Sequence, residues 1–521
     1  MRADPASPEA YRESCLLLAE RFFAGLSLAE VQARENDFNT YPGGLDRLGP
    51  PRNTLVLEEA ADGADAARRA VLEGRVLWKH LAAGEGTRLG QGPKYLLDPG
   101  RSGMGLTLGD RHLGQWAFEV ARLAGEAGED PARILARQTI LLVVSAVGRA
   151  EIAGRILASD FLGLKPEHFL FLEQSAFPAL RPEGGWHFED GTPHRLHNHG
   201  HLAMQMTMDG QVFHLDRAGR EIRLSRADFF GHLSRAASLT AYSIEDLGYL
   251  TRALDWEALG LALDLGKKGF RMIMEIVPNQ PDRPVKGALC VHDPALGRDA
   301  MIESLRLRGL PPESISHINK NFNHYPHPAE IFSRLSDEGL FLPVAVREEG
   351  LYFQPVVGDV NFLAPTAFFT RQRPEPLSSW KSPADTPVAL AALERQDAQP
   401  GFTDFMKALW TPPLNSWTVS RAFPCSAWAM PWLISIFTAR PTAFRRKPRC
   451  RWSRWPAAFW FPAGRATWSK TWALWGRPPG PSASPATMPG PMNLSDCLRP
   501  PAGLNRFLSA TRPGPPASRP A

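Results

Sequence analysis

The sequence predicts an α/β protein built on a mainly parallel sheet. Three observations carry that expectation. Thr139–Ala146 (T-I-L-L-V-V-S-A) is a continuous β-branched apolar run, the pattern of a strand buried on both faces. Helical and strand-like patterns alternate around it, as in sheets joined by helical crossovers. A short apolar segment, Val76-Leu77-Trp78, runs into a glycine-rich turn with basic residues, and ligands of open α/β sheets sit beyond such strand ends.

Taken in order, residues 8–35 carry Leu16, Leu17, Leu18, Phe22, Phe23 and Leu26 at helical spacings and read as a helix. Asn39 to Arg52, rich in Gly and Pro, reads as a loop. Asp62–Glu73 is an alanine-rich helix, Val76–Trp78 a strand and Trp116–Ala124 a helix. After Thr139–Ala146 come a helix over Ile152–Leu162 and a strand over His168–Leu172. Further on, Leu250–Lys267 reads as a helix, and Arg271–Val277, Leu351–Phe353 and Thr366–Thr370 as strands. No internal repeat is visible.

The 521 residues suffice for two or three domains. The net charge of +5 is unevenly spread. Residues 411–521 hold fifteen Lys and Arg and one acid, Asp496, which leaves 44 basic and 53 acidic residues in the rest. The basic pI is therefore no argument for nucleic-acid binding by the body. Five cysteines show no C-x-x-C pair and no metal spacing, which suits a reducing compartment. No apolar stretch follows Met1-Arg2-Ala3-Asp4-Pro5, and the longest apolar run, near Ala427–Ala439, is broken by Pro431. The expectation is a cytoplasmic protein without a membrane span.

The most informative stretch is Leu81 to Lys94, L-A-A-G-E-G-T-R-L-G-Q-G-P-K. Gly84, Gly86 and Gly90 let backbone N–H groups converge on an anion, and Arg88 and Lys94 supply positive charge. The spacing matches neither G-x-G-x-x-G nor G-x-x-x-x-G-K-[ST]. A dinucleotide enzyme would also need an acid about 20 residues on; Asp110 fits that distance, but the glycine spacing does not. On spacing alone a turn without a ligand stays open.

Further segments follow in order: Asp160-Phe161-Leu162-Gly163-Leu164, then Phe169 to Gln174 and Pro178-Ala179-Leu180; Asn198-His199-Gly200-His201; and Ser243-Ile244-Glu245-Asp246-Leu247 with Ala253-Leu254-Asp255. Next are Met274-Glu275-Ile276 with Pro284-Val285-Lys286-Gly287, and Asn319 to His324. Last come Gly358-Asp359-Val360 and Arg371 … Pro376 … Lys381-Ser382-Pro383-Ala384-Asp385. With the glycine-rich loop, these resemble, from Ser27 to Leu393, the eukaryotic-type UDP-sugar pyrophosphorylases. That family includes UDP-N-acetylglucosamine pyrophosphorylase and UTP–glucose-1-phosphate uridylyltransferase. Ala83 stands where the first of the family's paired glycines would be.

The resemblance implies a Rossmann-like, GT-A-like nucleotidyltransferase core over residues 71–395, behind a helical segment over 1–70. It implies a UTP-dependent sugar-1-phosphate uridylyltransferase making a UDP-sugar and pyrophosphate, with Mg²⁺. Its partners would be UTP and a sugar 1-phosphate, with no nucleic acid. Arg88, Lys94 and Lys381 would grip phosphates. Leu81, Ala82, Ala83 and Gly84 would meet the nucleotide, and Gln174 and Gly200 the uracil. His201, Glu275, Gly287 and Asn321 would lie by the sugar. Asp246, or its neighbour Glu245, and Asp359 would hold the metal; an acid at a helix start is the alternative for Asp246. The competing class is a nucleotide-binding protein of the same fold with a decayed site.

Residues 396–409 read as the start of a C-terminal region. From Trp410 on there are ten of the fifteen tryptophans, and residues 411–521 hold twenty prolines and no glutamate. Disordered segments are poor in aromatics. Such a tail is what GC-rich DNA gives when read out of frame, and a frameshift between Gln399 and Ser416 is expected. A genuine basic tail binding nucleic acid or membrane is the alternative.

Overall fold

The computed structural model describes residues 7–410 apart from positions 43, 61–62, 85, 87–88, 90–91, 101–103, 175, 178–179, 182–186, 189–194, 197–198, 245, 280–287, 308, 311–314, 349, 375–378 and 381. Arg88, Glu245, Gly287, Lys381 and the 411–521 tail therefore lie outside the described residues.

In chain order the strands are β1 (Leu55–Val56), β2 (Val76–Leu81), β3 (Thr139–Ser145), β4 (Phe169–Gln174), β5 (Ala176–Phe177) and β6 (Leu180–Arg181). Then come β7 (His187–Phe188), β8 (Arg195–Leu196), β9 (Val212–Leu215), β10 (Glu221–Arg223), β11 (Ser238–Ser243) and β12 (Met272–Pro278). The series ends with β13 (Ala288–Asp293), β14 (Arg298–Glu303), β15 (His317–Pro326), β16 (Val344–Arg347), β17 (Gly350–Phe353) and β18 (Thr366–Thr370).

The central sheet has the order β1-β18-β12-β15-β11-β2-β3-β4-β9-β10, with β13 and β14 attached at β15. β11, β2, β3 and β4 pair in parallel, as do β12, β18 and β1. β15 is antiparallel to both β11 and β12, so the two parallel groups run the same way. Their C-terminal ends, Leu81, Ser145, Gln174, Ser243, Pro278 and Thr370, consequently lie along one edge, where an α/β sheet offers room for a ligand.

Alternation along the strands feeds two cores. Trp78, Ile140, Leu142, Phe171 and Ile273 face helices Leu108–Glu126, Arg149–Ala158 and Trp256–Lys267. Leu77, Leu141, Leu170, Leu239 and Met274 face the opposite way, toward helices Pro8–Phe23 and His199–Gln205. Helices Thr386–Asp397 and Phe402–Trp410 close the described chain. Arg111 bonds Gln396 at 3.1 Å and Asp397 at 2.8 Å, and Phe402 and Phe405 pack on Phe118.

Some boundaries differ from expectation. The single helix over 8–35 is two, Pro8–Phe23 and Leu28–Asn39, because Ser27 and Glu30 form a capping box that starts a new helix. The helix over Ile152–Leu162 stops at Ala158. Asp160, Phe161 and Leu162 turn left-handed at φ of 45°, 57° and 56°, which costs about 1–2 kcal/mol each and is offset by burying Phe161 and Leu162. Among the described residues no helix is long and apolar enough to cross a membrane.

Candidate functional site

The glycine-rich loop leaves the sheet where the parallel strands end. Ala82 N–H still donates to Val143 O at 2.9 Å; Ala82 and Ala83 are buried, while Gly84 is exposed. The loop returns as Lys94 N–H donates to Gly84 O at 2.8 Å. Gly86 sits at φ 56°, and a Cβ there would lie 2.6 Å from Gly92 O, so the closure requires glycine. Lys94 is buried at the start of a 3₁₀ turn beside it.

Two contacts bring distant segments to this loop. Leu89 joins a small core with Leu97, Leu108, Leu247, Leu250, Trp380 and Leu393. Asp246 makes an isolated antiparallel bridge to Ser379. The neighbour of Arg88, the neighbour of Asp246 and the neighbour of Lys381 thus share one apolar cluster. Asp246, just past β11, is buried, and its Oδ1 accepts the Gly248 N–H at 2.9 Å as a cap.

A charged cluster lies at the same edge. Arg371, one residue past β18, donates to Glu275 Oε1 at 2.8 Å and to Oε2 at 3.3 Å, and it also pairs with Asp255. Lys320 reaches Glu275 Oε1 at 3.3 Å. Burial opposes charge on Asp255, but Arg371 and Arg252 hold its carboxyl below the usual range. The phenol of Tyr249 is raised by burial and then by the negative charge of Asp246, Glu275 and Asp255. Glu275, 1% exposed, is committed to Arg371 and Lys320.

Of the remaining positions, Gln174 shares that strand edge. Gln174 ends β4 level with Ser145. Gly200 packs flat on the 355–356 backbone: a Cβ would stand 2.1 Å from Pro355 O. His201 is buried edge-on to Tyr11, with ring centroids 5.7 Å apart. The backbone of Asn321 belongs to β15. Asp359 is buried with both oxygens 3.2 Å from Arg306 Nη1; burial pushes its carboxyl up to about 6, against the pull of Arg306. Among the described residues no group of three His, Cys, Asp or Glu is arranged to hold a metal.

No protein-family model and no curated protein matches the sequence. Solved structures do. UDP-N-acetylglucosamine pyrophosphorylase from Trypanosoma brucei matches with a TM-score of 0.51 at 16% identity, covering 76% of this chain and 84% of that one. The chain has the fold of the UDP-sugar pyrophosphorylases. UDP-glucose pyrophosphorylase from Leishmania major matches with a TM-score of 0.48 at 15% identity, covering 73% and 78%.

Within that pyrophosphorylase fold, one strand carries residues that the sequence reading passed over. β2 continues past Trp78 through Lys79 and His80, and both are buried. Lys79 is held down to about 8 by burial, and its Nζ meets Met206 Sδ at 3.4 Å. On the other face, Tyr242 and His80 share a hydrogen bond of 3.1 Å; burial and then His112 hold His80 down to about 3. A signal was present: a lysine and a histidine inside a strand buried on both faces cost free energy that an apolar pair would not.

Proposed function

We propose that the chain is a UTP-dependent sugar-1-phosphate uridylyltransferase that makes a UDP-sugar and pyrophosphate. The observation that carries the reading is the convergence at one strand edge. The glycine-rich loop, Asp246 and the segment entering Lys381 meet through Leu89, Leu247 and Trp380 and through the Asp246–Ser379 bridge. The solved pyrophosphorylases support the same class at the level of fold.

In this reading the sugar phosphate, already an anion, displaces pyrophosphate in line at the α-phosphorus of UTP. The protein then has positions to fix and charge to balance. Backbone N–H groups of the 82–94 loop, with Arg88 and Lys94, hold the triphosphate, and Lys381 meets the phosphate of the sugar. The Arg371–Glu275–Lys320 cluster shapes the wall beside them. Asp246 fits an Mg²⁺ ion, which binds through one or two carboxylates and otherwise through water and phosphate oxygens. Asp359 does not fit as it stands, because both its oxygens face Arg306. When bound, the metal would neutralise phosphate charge.

The test is pyrophosphate release from UTP with a panel of sugar 1-phosphates, glucose and N-acetylglucosamine first. Arg88→Ala and Asp246→Asn should each lower turnover by on the order of 10²–10³. Near-wild-type turnover by the purified Arg88→Ala protein would sink the assignment of the loop. The commitment of Asp359 to Arg306 favours a second reading, a nucleotide-sugar-binding protein without turnover. Thermal stabilisation by UTP or UDP-glucose with no pyrophosphate released would select it.

A further inference from the structure

Lys79 stands in β2, three residues before the 82–94 loop begins. Strand alternation sends Leu77 and Lys79 to one face, among Leu141, Ala241 and Met206, while Trp78 faces the other core. The residue is 5% exposed. Among the described residues its ammonium has a single polar contact, the Met206 thioether at 3.4 Å, and no carboxylate pairs with it. A thioether is a weak acceptor. An ammonium so placed is costly unless something with oxygen atoms completes it. A leucine or methionine would fill the same space at no such cost. Met206 directly follows helix His199–Gln205, and that helix is pinned where His199 Nδ1 accepts the Val357 N–H at 3.0 Å.

We propose that Lys79 binds an anionic oxygen of a ligand that reaches β2 beside Met206. The proposal rests on the uridylyltransferase reading only for the choice of probes. Two sources have the same chemistry, a phosphate of the nucleotide or sugar phosphate and a carboxylate on the sugar.

The experiment compares the full-length protein with Lys79→Met, a variant of similar length without the charge. Thermal unfolding is followed alone and with UTP, pyrophosphate, glucose 1-phosphate and glucuronate 1-phosphate in turn. Lys79→Met should melt several degrees higher without ligand, because the buried charge is gone. It should lose about tenfold or more in affinity for the probe that Lys79 holds. A loss confined to UTP and pyrophosphate places Lys79 on the nucleotide phosphates. An equal loss for both sugar phosphates places it on the 1-phosphate, and a loss only for glucuronate 1-phosphate places it on a sugar carboxylate. Unchanged affinity for every probe overturns the proposal, as does a lower melting point without ligand, or a wild-type protein that binds none of the four. A wild-type protein that binds through Lys79 yet releases no pyrophosphate defeats the uridylyltransferase reading alone.

Discussion

An ammonium surrounded by methionine and leucine makes stability depend on pH in an unusual range. Lys79 is held near 8 in the folded chain by burial, whereas an unfolded lysine titrates near 10.4. Between those values the unfolded chain binds the extra proton, so stability should rise with pH from about 8 to 10.4, by about 3 kcal/mol in all. Chemical denaturation at a series of pH values checks this, and in Lys79→Met the rise should vanish. Gly200 is a second residue whose reading the structure sharpens. The resemblance assigned its backbone to the uracil, and the packing assigns its missing Cβ to Pro355. Gly200→Ala should cost about 1–3 kcal/mol, read as a lower denaturation midpoint without any ligand present. At this scale the sequence exposed charge and glycine but not their partners. Nothing in M-E-I announces that Glu275 is saturated by Arg371, nearly a hundred residues away.

Helix Leu108–Glu126 shows how elements hold each other. Its Glu119 accepts the N–H groups of Ala253 and Leu254 at 2.7 and 2.9 Å and is itself bonded by Gln115. It thereby fixes the turn that leads into helix Trp256–Lys267. Glu119→Ala leaves two buried donors unmet and should destabilise the protein by about 2–4 kcal/mol, with faster amide exchange concentrated at 251–256. The same helix explains a boundary that sequence could not place. It reads as Trp116–Ala124 because Asp110, Arg111, His112 and Gln115 break the amphipathic stripe, yet all four are buried, Asp110 against Arg155, Arg111 against Asp397 and Gln115 against Glu119. β3 was legible because nothing polar interrupts it before Ser145. β11 and β15 were not: S-L-T-A-Y-S and H-I-N-K-N-F-N-H-Y-P alternate polar residues that a solvent-facing strand would also carry, whereas here both flanks are other strands. The parallel architecture survived these gaps because the runs that were legible alternate with helices.

For the molecule as a whole, three histidines buried near one sheet face set a limit in acid. Burial holds His80 and His112 near 3 and His324 near 4, each below the free value of about 6.5. Below that value the unfolded chain gains protons the folded chain does not, so stability falls as pH falls, by about 1.4 kcal/mol per unit for each histidine. Three such groups cost about 4 kcal/mol per unit, against a typical total of 5–15 kcal/mol. Cooperative loss of near-ultraviolet circular dichroism between about pH 4 and 5 is the expected outcome, shifted to lower pH in His112→Phe. The strand edge that gathers the loop, Asp246 and Arg371 was foreseen as a location, because strand ends are fixed by topology; its composition was not, because the residues come from every quarter of the chain. That dispersal also has a cost in time. Among the described residues β1 pairs only with β18, Leu55 against Phe369, more than three hundred positions later. At a synthesis rate of about 5–20 residues per second, the first strand leaves the ribosome roughly 15–60 s before its partner exists. During that interval the strand Leu55–Val56 has no neighbour to pair with, and a chaperone that shields it would act on a nascent chain rather than on the finished protein.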